Sequence, residues 1–120
     1  YAYACANYAA RLSVVDVSDP SSPSILASTE YDAANLVMCE GVAVDGNYAY
    51  VTTWSDSASA SYLAVVDISD PTSPSIVGSI IDGTLGPAMT IAADEGHVYL
   101  PSGTGDGMIV VDVSDPSNPT

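Results

Sequence analysis

One phrase occurs three times in this chain and constrains its fold more than any other feature. It reads VVDVSDPSSPS at residues 14–24, VVDISDPTSPS at 65–75 and VVDVSDPSNPT at 110–120. Successive copies begin 51 residues apart (14 to 65) and 45 residues apart (65 to 110). A second phrase keeps the same order, because GVAVDGNYAYV at 41–51 matches TIAADEGHVYL at 90–100. The chain is therefore built from repeats, and each repeat is expected to form a similar supersecondary unit.

The strand signals within one period are dense. Residues 42–51 are largely apolar around Asp45-Gly46-Asn47, a sequence typical of a tight hairpin turn. The continuous apolar run YLAVVDI at 62–68 predicts a strand covered on both faces. After the turn residues at 69–71, SIVGSII at 75–81 supplies another strand. One period therefore predicts four strands, which is the number of strands in a propeller blade.

The fold class follows from these strands. No stretch shows sustained helical spacing, so we expect an all-β fold of four-stranded antiparallel propeller-type blades. Even a four-bladed ring needs about 160 to 200 residues, so we expect an incomplete propeller or an array segment of about two and a half repeats. The strand that should follow the third copy of the phrase is expected to come from outside these residues. The sequence predicts three units, which together form one fragment of a repeat domain. They are a partial blade at 1–40, a complete blade at 41–84 and a partial blade at 85–120. Strands are expected near 1–6, 11–17 and 24–31 in the first unit, within about 41–81 in the second, and near 89–93, 97–101 and 108–113 in the third.

The three copies of the phrase, each downstream of a YAY or VYL strand, resemble the LVIVD repeat. That family occurs in secreted and surface proteins of bacteria and archaea. The resemblance covers nearly the whole chain and implies a β-propeller-like fold and an extracellular location. It implies no catalytic residues, because the family has none in common.

The charge of the chain restricts its partners. Fifteen acidic residues face a single basic residue, Arg11, which gives a net charge of -14. Nucleic acids and anionic membranes are therefore not expected as partners, since both are bound by clustered cations. No apolar run approaches the roughly 18 residues of a membrane span, so no membrane insertion is expected.

The rest of the composition indicates a compartment. Only 13% of the residues are charged, and a surface otherwise rich in Ser, Thr, Ala and Gly is typical of an extracellular or a salt-adapted protein rather than a cytosolic one. Of these we favour an extracellular or cell-surface location. The first residue is Tyr1 rather than Met, which predicts a processed product or a segment of a longer protein.

Two cysteines, Cys5 and Cys39, are candidates for one disulfide bond. They fit no metal template, because neither has a neighbouring Cys or His. The repeat alignment places Cys5 at the end of one blade's second strand and Cys39 just before the next blade's first strand. These ends lie at the same side of a propeller, so a bond there would join adjacent blades. The alternative is a pair of buried free thiols.

A pair of aspartates recurs in each copy of the phrase. Because two aspartates separated by two intervening residues can share a calcium ion, calcium is one interpretation of these pairs. The other is turn architecture, since an Asp-Pro step supplies a side-chain acceptor and a fixed φ. We favour the turn and keep calcium as the alternative. The residues concerned are Asp16, Asp19, Asp67, Asp70, Asp112 and Asp115.

Catalytic signals are weak. The chain has one histidine, His97, and no Gly-x-Ser-x-Gly elbow that would present a nucleophilic serine. The glycine-rich SGTGDG at 102–107 lies between two strands and lacks the lysine of a phosphate-binding loop, so it predicts a hairpin loop. We therefore expect no enzymatic activity, no cofactor and no catalytic or cofactor-binding residue.

Two further surface features are candidate sites. The loop WSDSASAS at 54–61 begins with the only tryptophan, Trp54, a residue type that often contacts sugars or protein partners. Packing of Trp54 on a neighbouring blade is the alternative. The hydroxyl-rich turns around the prolines are candidates for O-glycosylation, with unmodified turns as the alternative. The candidate acceptors are Ser21, Ser22, Thr72, Ser73 and Thr120.

The sequence thus predicts an extracellular or cell-surface structural repeat protein. Its sheets would stack with further repeats or with identical copies of the chain, and repeated stacking would give a filament, because an incomplete propeller exposes strand edges and apolar faces. The alternative is a propeller module that recognises a glycan or a protein through the loops near Trp54.

Overall fold

The computed structural model of the protein describes residues 1–5, 10–30, 32, 36, 38–55, 60–83, 85, 89–102 and 107–120. These residues contain strands but no helix, so no helix among them is long and apolar enough to cross a membrane. The predicted all-β class is therefore confirmed. The strands are β1 (Ala2–Cys5), β2 (Leu12–Asp16), β3 (Ser24–Ser28), β4 (Cys39–Asp45), β5 (Tyr48–Ser55), β6 (Ala60–Asp67), β7 (Ser75–Asp82), β8 (Ala92–Asp94), β9 (His97–Pro101) and β10 (Met108–Asp112).

The strands form three sheets. The first sheet contains β1 to β3, the middle sheet β4 to β7, and the third sheet β8 to β10. In every sheet the hydrogen-bonded neighbours follow one another along the chain and run antiparallel. The prediction of antiparallel sheets is therefore confirmed, and the middle sheet has the four strands expected of one period.

The middle sheet begins slightly earlier than the sequence indicated. Its first strand starts at Cys39, ahead of the predicted start at residue 41, because Cys39 pairs with Thr53 across an irregularity in the ladder. The division of the chain into units at 1–40, 41–84 and 85–120 stays a prediction.

Tight turns join the first two strands of the middle and third sheets. Gly46, between β4 and β5, has a φ of 55°, a conformation that glycine adopts without a steric penalty. The turn between β8 and β9 places both Glu95 (φ 47°) and Gly96 (φ 77°) in the left-handed region. The hairpin predicted at Asp45-Gly46-Asn47 is therefore confirmed.

The middle sheet is buried on both faces, as the apolar run at 62–68 predicted. Successive residues of β6 alternate between two clusters: Leu63 and Val65 pack towards the third sheet, and Ala64 and Val66 pack towards the first sheet. All four are fully buried. Because side chains alternate across a strand, a strand needs apolar residues at every position only when both of its faces are covered.

The same bulge occurs in the first and middle sheets. The register of β2 and β3 shifts between Val14 and Val15, and the register of β6 and β7 shifts between Val65 and Val66. These positions are equivalent in the repeat. A bulge bends and twists a strand locally, so the sequence repeat preserves a detail of the backbone as well as the strand pattern.

Candidate interaction surfaces

The middle sheet has two unlike faces. Tyr50, Leu63 and Val65 point to one side, which we call the tyrosine face. Val51, Val66 and Ile68 point to the other side, together with two alanines, and we call this the aliphatic face. Equivalent positions in the other two sheets define the same two faces there.

The three sheets stack in one direction. Leu12 of the first sheet, equivalent to Leu63, packs in one cluster with the aliphatic face of the middle sheet, and Tyr3 packs against that cluster. Val111 and Val113 of the third sheet, equivalent to Val66 and Ile68, pack in the cluster of the middle sheet's tyrosine face. At both junctions, therefore, a tyrosine face meets an aliphatic face.

The aliphatic face of the first sheet is left uncovered. Ile25 on this face is 70% exposed and Val17 is 37% exposed. Their equivalents in the middle sheet lie against the first sheet: Ile76 is partly buried there, and Ile68 is only 5% exposed. The difference arises because no sheet among the described residues precedes the first one.

The tyrosine face of the third sheet is also uncovered by any sheet in the part of the chain that the structure describes. Met108 is 64% exposed and Val110 is 48% exposed, whereas the equivalent Leu63 and Val65 are fully buried. A shallow depression lies on this face beside Met108. It is lined by Thr90, Ala92, Tyr99, Leu100, Pro101, Gly107 and Met108.

The turns of the repeated phrase contribute to the junctions between sheets. Gly78 of β7 lies against the turn that follows β10, where a Cβ atom at position 78 would overlap the carbonyl oxygen of Pro116. Pro74 is buried and lines a groove with Thr29, at the boundary of the first and middle sheets. The equivalent Pro23 of the first sheet is exposed. The turn of the first repeat therefore lacks the cover that the next turn has.

The aspartates of the phrase organise these turns. In each copy, one side-chain oxygen of the earlier aspartate and one of the later aspartate accept a backbone N–H from the residue two positions ahead, at 2.8 to 3.1 Å. The later aspartate also accepts a hydroxyl proton from Ser21, Thr72 or Ser117, at 2.6 to 2.7 Å. These are Asx-turns, in which a short side chain replaces a backbone acceptor.

Hydrogen bonding also changes the acidity of these groups. Bonds from the residue two positions ahead stabilise the charged form and hold the pKa of each carboxyl below its ordinary value of 3.8. Within the described ranges, no three His, Cys, Asp or Glu side chains are grouped to hold a metal ion. Each aspartate of the phrase thus accepts the hydrogen bond expected of a turn, and the calcium interpretation stays a prediction. The residues are Asp16, Asp19, Asp67, Asp70, Asp112 and Asp115.

A disulfide bond joins the first and middle sheets. Cys5, at the end of β1, is bonded to Cys39, at the start of β4, with 5.9 Å between the two Cα atoms. The predicted pairing is confirmed, and the alternative of two free thiols is wrong. The bond ties the two sheets at one end of their junction.

Trp54 lies in a different place from the one expected. The sequence placed it in a loop at 54–61, but it belongs to β5 and pairs with Ser61 because the β5–β6 ladder continues to Ser55 and Ala60. Its side chain is half-buried. Residues 56–59 of that loop lie outside the described residues, as do 103–106 of the predicted hairpin loop at 102–107, and the role of Trp54 in ligand binding stays a prediction.

The candidate glycosylation acceptors all lie on the surface. Two of the hydroxyls, those of Ser21 and Thr72, already donate to aspartates within their turns. Glycosylation stays a prediction for the exposed residues Ser21, Ser22, Thr72, Ser73 and Thr120.

The single histidine, His97, lies on the surface. It is exposed, and its Nδ1 atom lies 3.1 Å from the carbonyl oxygen of Glu95.

Sequence reasoning missed Glu40. This residue lies in β4 beside the irregularity at Cys39 and Gly41, and its Oε2 atom is buried with no hydrogen-bond partner in the part of the chain that the structure describes. Burial raises the pKa of its carboxyl. A single acidic residue in a strand gives no sequence signal for such an environment.

Comparison with known proteins identifies the repeat. A family model described as the LVIVD repeat matches residues 1–30, 38–82 and 85–120, and these three segments contain the strands of the first, middle and third sheets respectively. No curated protein and no solved structure shows significant similarity to the chain. The matched segments account for nearly all of the sequence, and the chain therefore belongs to the LVIVD repeat family.

Proposed function

We propose that the protein is a non-enzymatic structural repeat protein of the extracellular space or cell surface. Its two outer sheets stack face to face with further LVIVD sheets, in a propeller-like arrangement. One observation carries the proposal: the uncovered face at each end corresponds, position by position, to a face that is covered inside the chain.

The chemistry of the two uncovered faces is complementary. The third sheet offers Tyr99, Met108 and Val110 at the positions of the buried Tyr50, Leu63 and Val65. The first sheet offers an aliphatic face of the kind that receives a tyrosine face at both internal junctions. Covering apolar surface of this kind contributes about 25 cal/mol per Å² removed from water. A second copy of the chain presents a fitting face to either end.

Repetition of this contact has a predictable outcome. Each copy would use one face to bind the copy before it and the other face to bind the copy after it. Such head-to-tail contacts give a ring when the rotation closes and a filament when it does not. A filament is therefore the extended product of this contact.

Two features support the structural and extracellular parts of the proposal. The Cys5–Cys39 bond is typical of oxidising compartments outside the cytosol. The sequence has one histidine, His97, and no Gly-x-Ser-x-Gly motif that would present a nucleophilic serine to it. This supports a structural role rather than a catalytic one. Surface proteolysis of intact cells that express the chain would test the location.

Association can be tested by blocking one face at a time. Ile25→Asp places a charge on the aliphatic face of the first sheet, and Val110→Asp places one on the tyrosine face of the third sheet. Val44→Asp is the matched control, because Val44 is an exposed valine of β4 in the middle sheet. Light scattering and electron microscopy would measure the size and form of the particles.

We expect the unmodified chain and the Val44→Asp control to form oligomers or filaments whose size rises with concentration. Each blocked variant alone should be monomeric. An equimolar mixture of the two blocked variants should give dimers and nothing larger, since each variant keeps one working face. A monomeric unmodified chain at millimolar concentration, or oligomers that all three substitutions leave unchanged, would contradict the proposal.

A further inference from the structure

A groove lies at the boundary of the first and middle sheets, beside the end of β3. It has a volume of about 280 Å³ and is lined by Thr29, Glu30, Asp32, Pro74, Ser75 and Ile76. The first three of these residues follow β3, and the last three belong to the start of β7 and to the turn before it. The groove is therefore part of an internal junction, and it is distinct from the two uncovered faces.

The groove arises where β3 ends earlier than its counterpart. β3 has five residues and β7 has eight. In the middle sheet Leu63 pairs with Ile80, and the ladder continues beyond this pair. In the first sheet the equivalent residues are Leu12 and Thr29, and here the N–H of Leu12 donates to the side-chain Oγ1 of Thr29 at 3.1 Å. This hydroxyl takes the place of a backbone acceptor, so the chain leaves the edge of β2 at this point.

The residue types change at the same place. Thr29 corresponds to Ile80 of the middle sheet, which packs against the cluster of the tyrosine face. The next residue, Glu30, corresponds to Ile81. Apolar residues at these two positions are thus compatible with the repeat. The fold does not require the hydroxyl and the carboxylate that the first repeat carries there.

Hydrogen bonds hold the backbone on both sides of Glu30. Thr29 is only 1% exposed, and its N–H donates to the carbonyl of Leu12 at 2.9 Å. The N–H of Asp32 donates to the carbonyl of Ala10 at 3.0 Å. The wall of the groove is therefore formed before anything binds, which lowers the entropic cost of binding.

The groove combines apolar and acidic residues. Pro74 is buried and Ile76 is half-buried, and Glu30 and Asp32 bring two carboxylates to the same site. The net charge of -14 adds to the negative potential there. A long basic side chain matches both properties, because its stem is apolar and its head is charged. Arginine matches best, since its planar guanidinium can donate two parallel hydrogen bonds to one carboxylate.

The size of the groove favours one side chain over a whole ligand. Pockets that enclose a small molecule usually have about 300 to 1,000 Å³, and this groove lies below that range. The single basic residue of the chain, Arg11, is exposed and is not among the residues that line the groove. The cation must therefore come from another molecule.

We propose that the groove is a binding site for an arginine side chain of a partner protein. The stem of the arginine lies against Pro74 and Ile76, and its guanidinium donates to the carboxylate of Glu30. Asp32 strengthens the attraction through its negative charge. Because the groove lies at an internal junction, a stack of copies would present one such site on every chain.

The test is a titration of the isotope-labelled chain, followed by NMR, with a short peptide. The probe is acetyl-Gly-Ser-Arg-Ser-Gly-amide, and the control peptide carries citrulline in place of arginine, which keeps the length and the planar head but has no charge. All chains carry Val110→Asp on the third sheet, so that stacking does not contribute to the signals. The result is therefore independent of the proposed association.

We expect the arginine peptide to shift the amide signals of Glu30, Asp32 and Ile76 in a saturable way at up to millimolar concentration. The citrulline peptide should leave them unchanged. Glu30→Gln should weaken binding of the arginine peptide about threefold to tenfold. Glu95→Gln, which removes the same charge from an exposed turn of the third sheet, should not weaken it.

Three results would overturn the proposal. The first is equal binding of the citrulline peptide, which would remove the role of charge. The second is an equal loss of affinity in Glu30→Gln and Glu95→Gln, which would indicate general attraction to an acidic protein. The third is the absence of saturable shifts at the residues of the groove.

Discussion

Gly78 of β7 lies against the carbonyl oxygen of Pro116, across the junction between the middle and third sheets. The backbone carbon of Ser117 would lie 3.1 Å from a Cβ atom at position 78. The missing side chain of Gly78 therefore lets the turn of one repeat approach the strand of the previous one.

Gly78→Ala should accordingly destabilise the protein. The added methyl group meets backbone atoms that cannot rotate away, so we expect a loss of about 1 to 3 kcal/mol in the free energy of unfolding, measured by urea titration. Gly83→Ala is the control, because a Cβ at position 83 meets no atom within 4 Å and the residue has no left-handed φ. A Gly78→Ala variant as stable as this control would contradict the close approach.

Loss of the disulfide should reduce stability by an amount set mainly by chain entropy. The bonded cysteines are 34 residues apart in sequence, and closing a loop of that length stabilises the folded state by about 3 to 4 kcal/mol in the chain-entropy model. The Cys5→Ala, Cys39→Ala double variant should lose this amount in urea titrations. Reductant should destabilise the unmodified chain similarly and leave the double variant unchanged. Two thiols that react with an alkylating agent in the native, unreduced protein would contradict the bond.

The Asx-turns should make stability fall in acid. The pKa of Asp70 is lowered in the folded state by hydrogen bonds from Thr72, so the unfolded chain binds more protons as the pH drops. The stabilisation is present above the unfolded pKa and is lost as pH falls below about 4 through the folded pKa. Asp70→Asn keeps an acceptor oxygen but cannot titrate, and its free energy of unfolding should fall less between pH 5 and pH 2. Parallel curves for the two chains would count against this role.

Glu40 should show the opposite dependence on pH. Burial raises its pKa above the ordinary value of 4.5, so the folded state binds the extra proton. The contribution of Glu40 is therefore most favourable below the unfolded pKa and declines as the pH rises through the folded pKa. Glu40→Gln should be more stable than the unmodified chain at pH 7, and the difference should shrink towards pH 4. An advantage that is constant with pH would indicate packing rather than charge.

The turn between β8 and β9 contains a residue under backbone strain. Glu95 has a φ of 47°, a region that costs a residue with a Cβ roughly 1 to 2 kcal/mol relative to ordinary backbone. Glu95→Gly should therefore raise the thermal midpoint. Glu30→Gly, at an exposed position outside the residues with positive φ, should lower it through the entropy of the unfolded chain. The same sign of change at both positions would argue against strain at Glu95.

Much of the fold could be predicted because the pattern of apolar residues in each repeat indicates which strand faces are buried. The unbroken apolar run around Val65 required cover on both sides of one strand, and the structure supplies it with the first and third sheets. Gly46 marked its hairpin because few residues adopt a left-handed φ. The repeat alignment placed Cys5 and Cys39 at the same side of neighbouring units, which is compatible with the bond that the structure shows but left free thiols as an alternative.

The exposed surfaces were harder to predict, because the exposure of a side chain depends on whether another sheet packs against its face. Val65 and Val110 occupy the same position of the phrase, yet only Val65 is covered. The place of Trp54 depended on how far the β5–β6 ladder runs, and strand ends respond to pairing more than to composition. The need for glycine at position 78 could not be predicted, because it depends on how closely the turn at Pro116 packs against β7.

The unlike faces of the two outer sheets have a consequence for symmetry. Because all three sheets point the same way, copies joined through these faces cannot be related by a twofold axis. Any such object has a polarity, with Met108 displayed at one terminus and Ile25 at the other. A binding protein that recognises only one of these side-chain patterns could anchor or halt that terminus while the opposite one continues to grow.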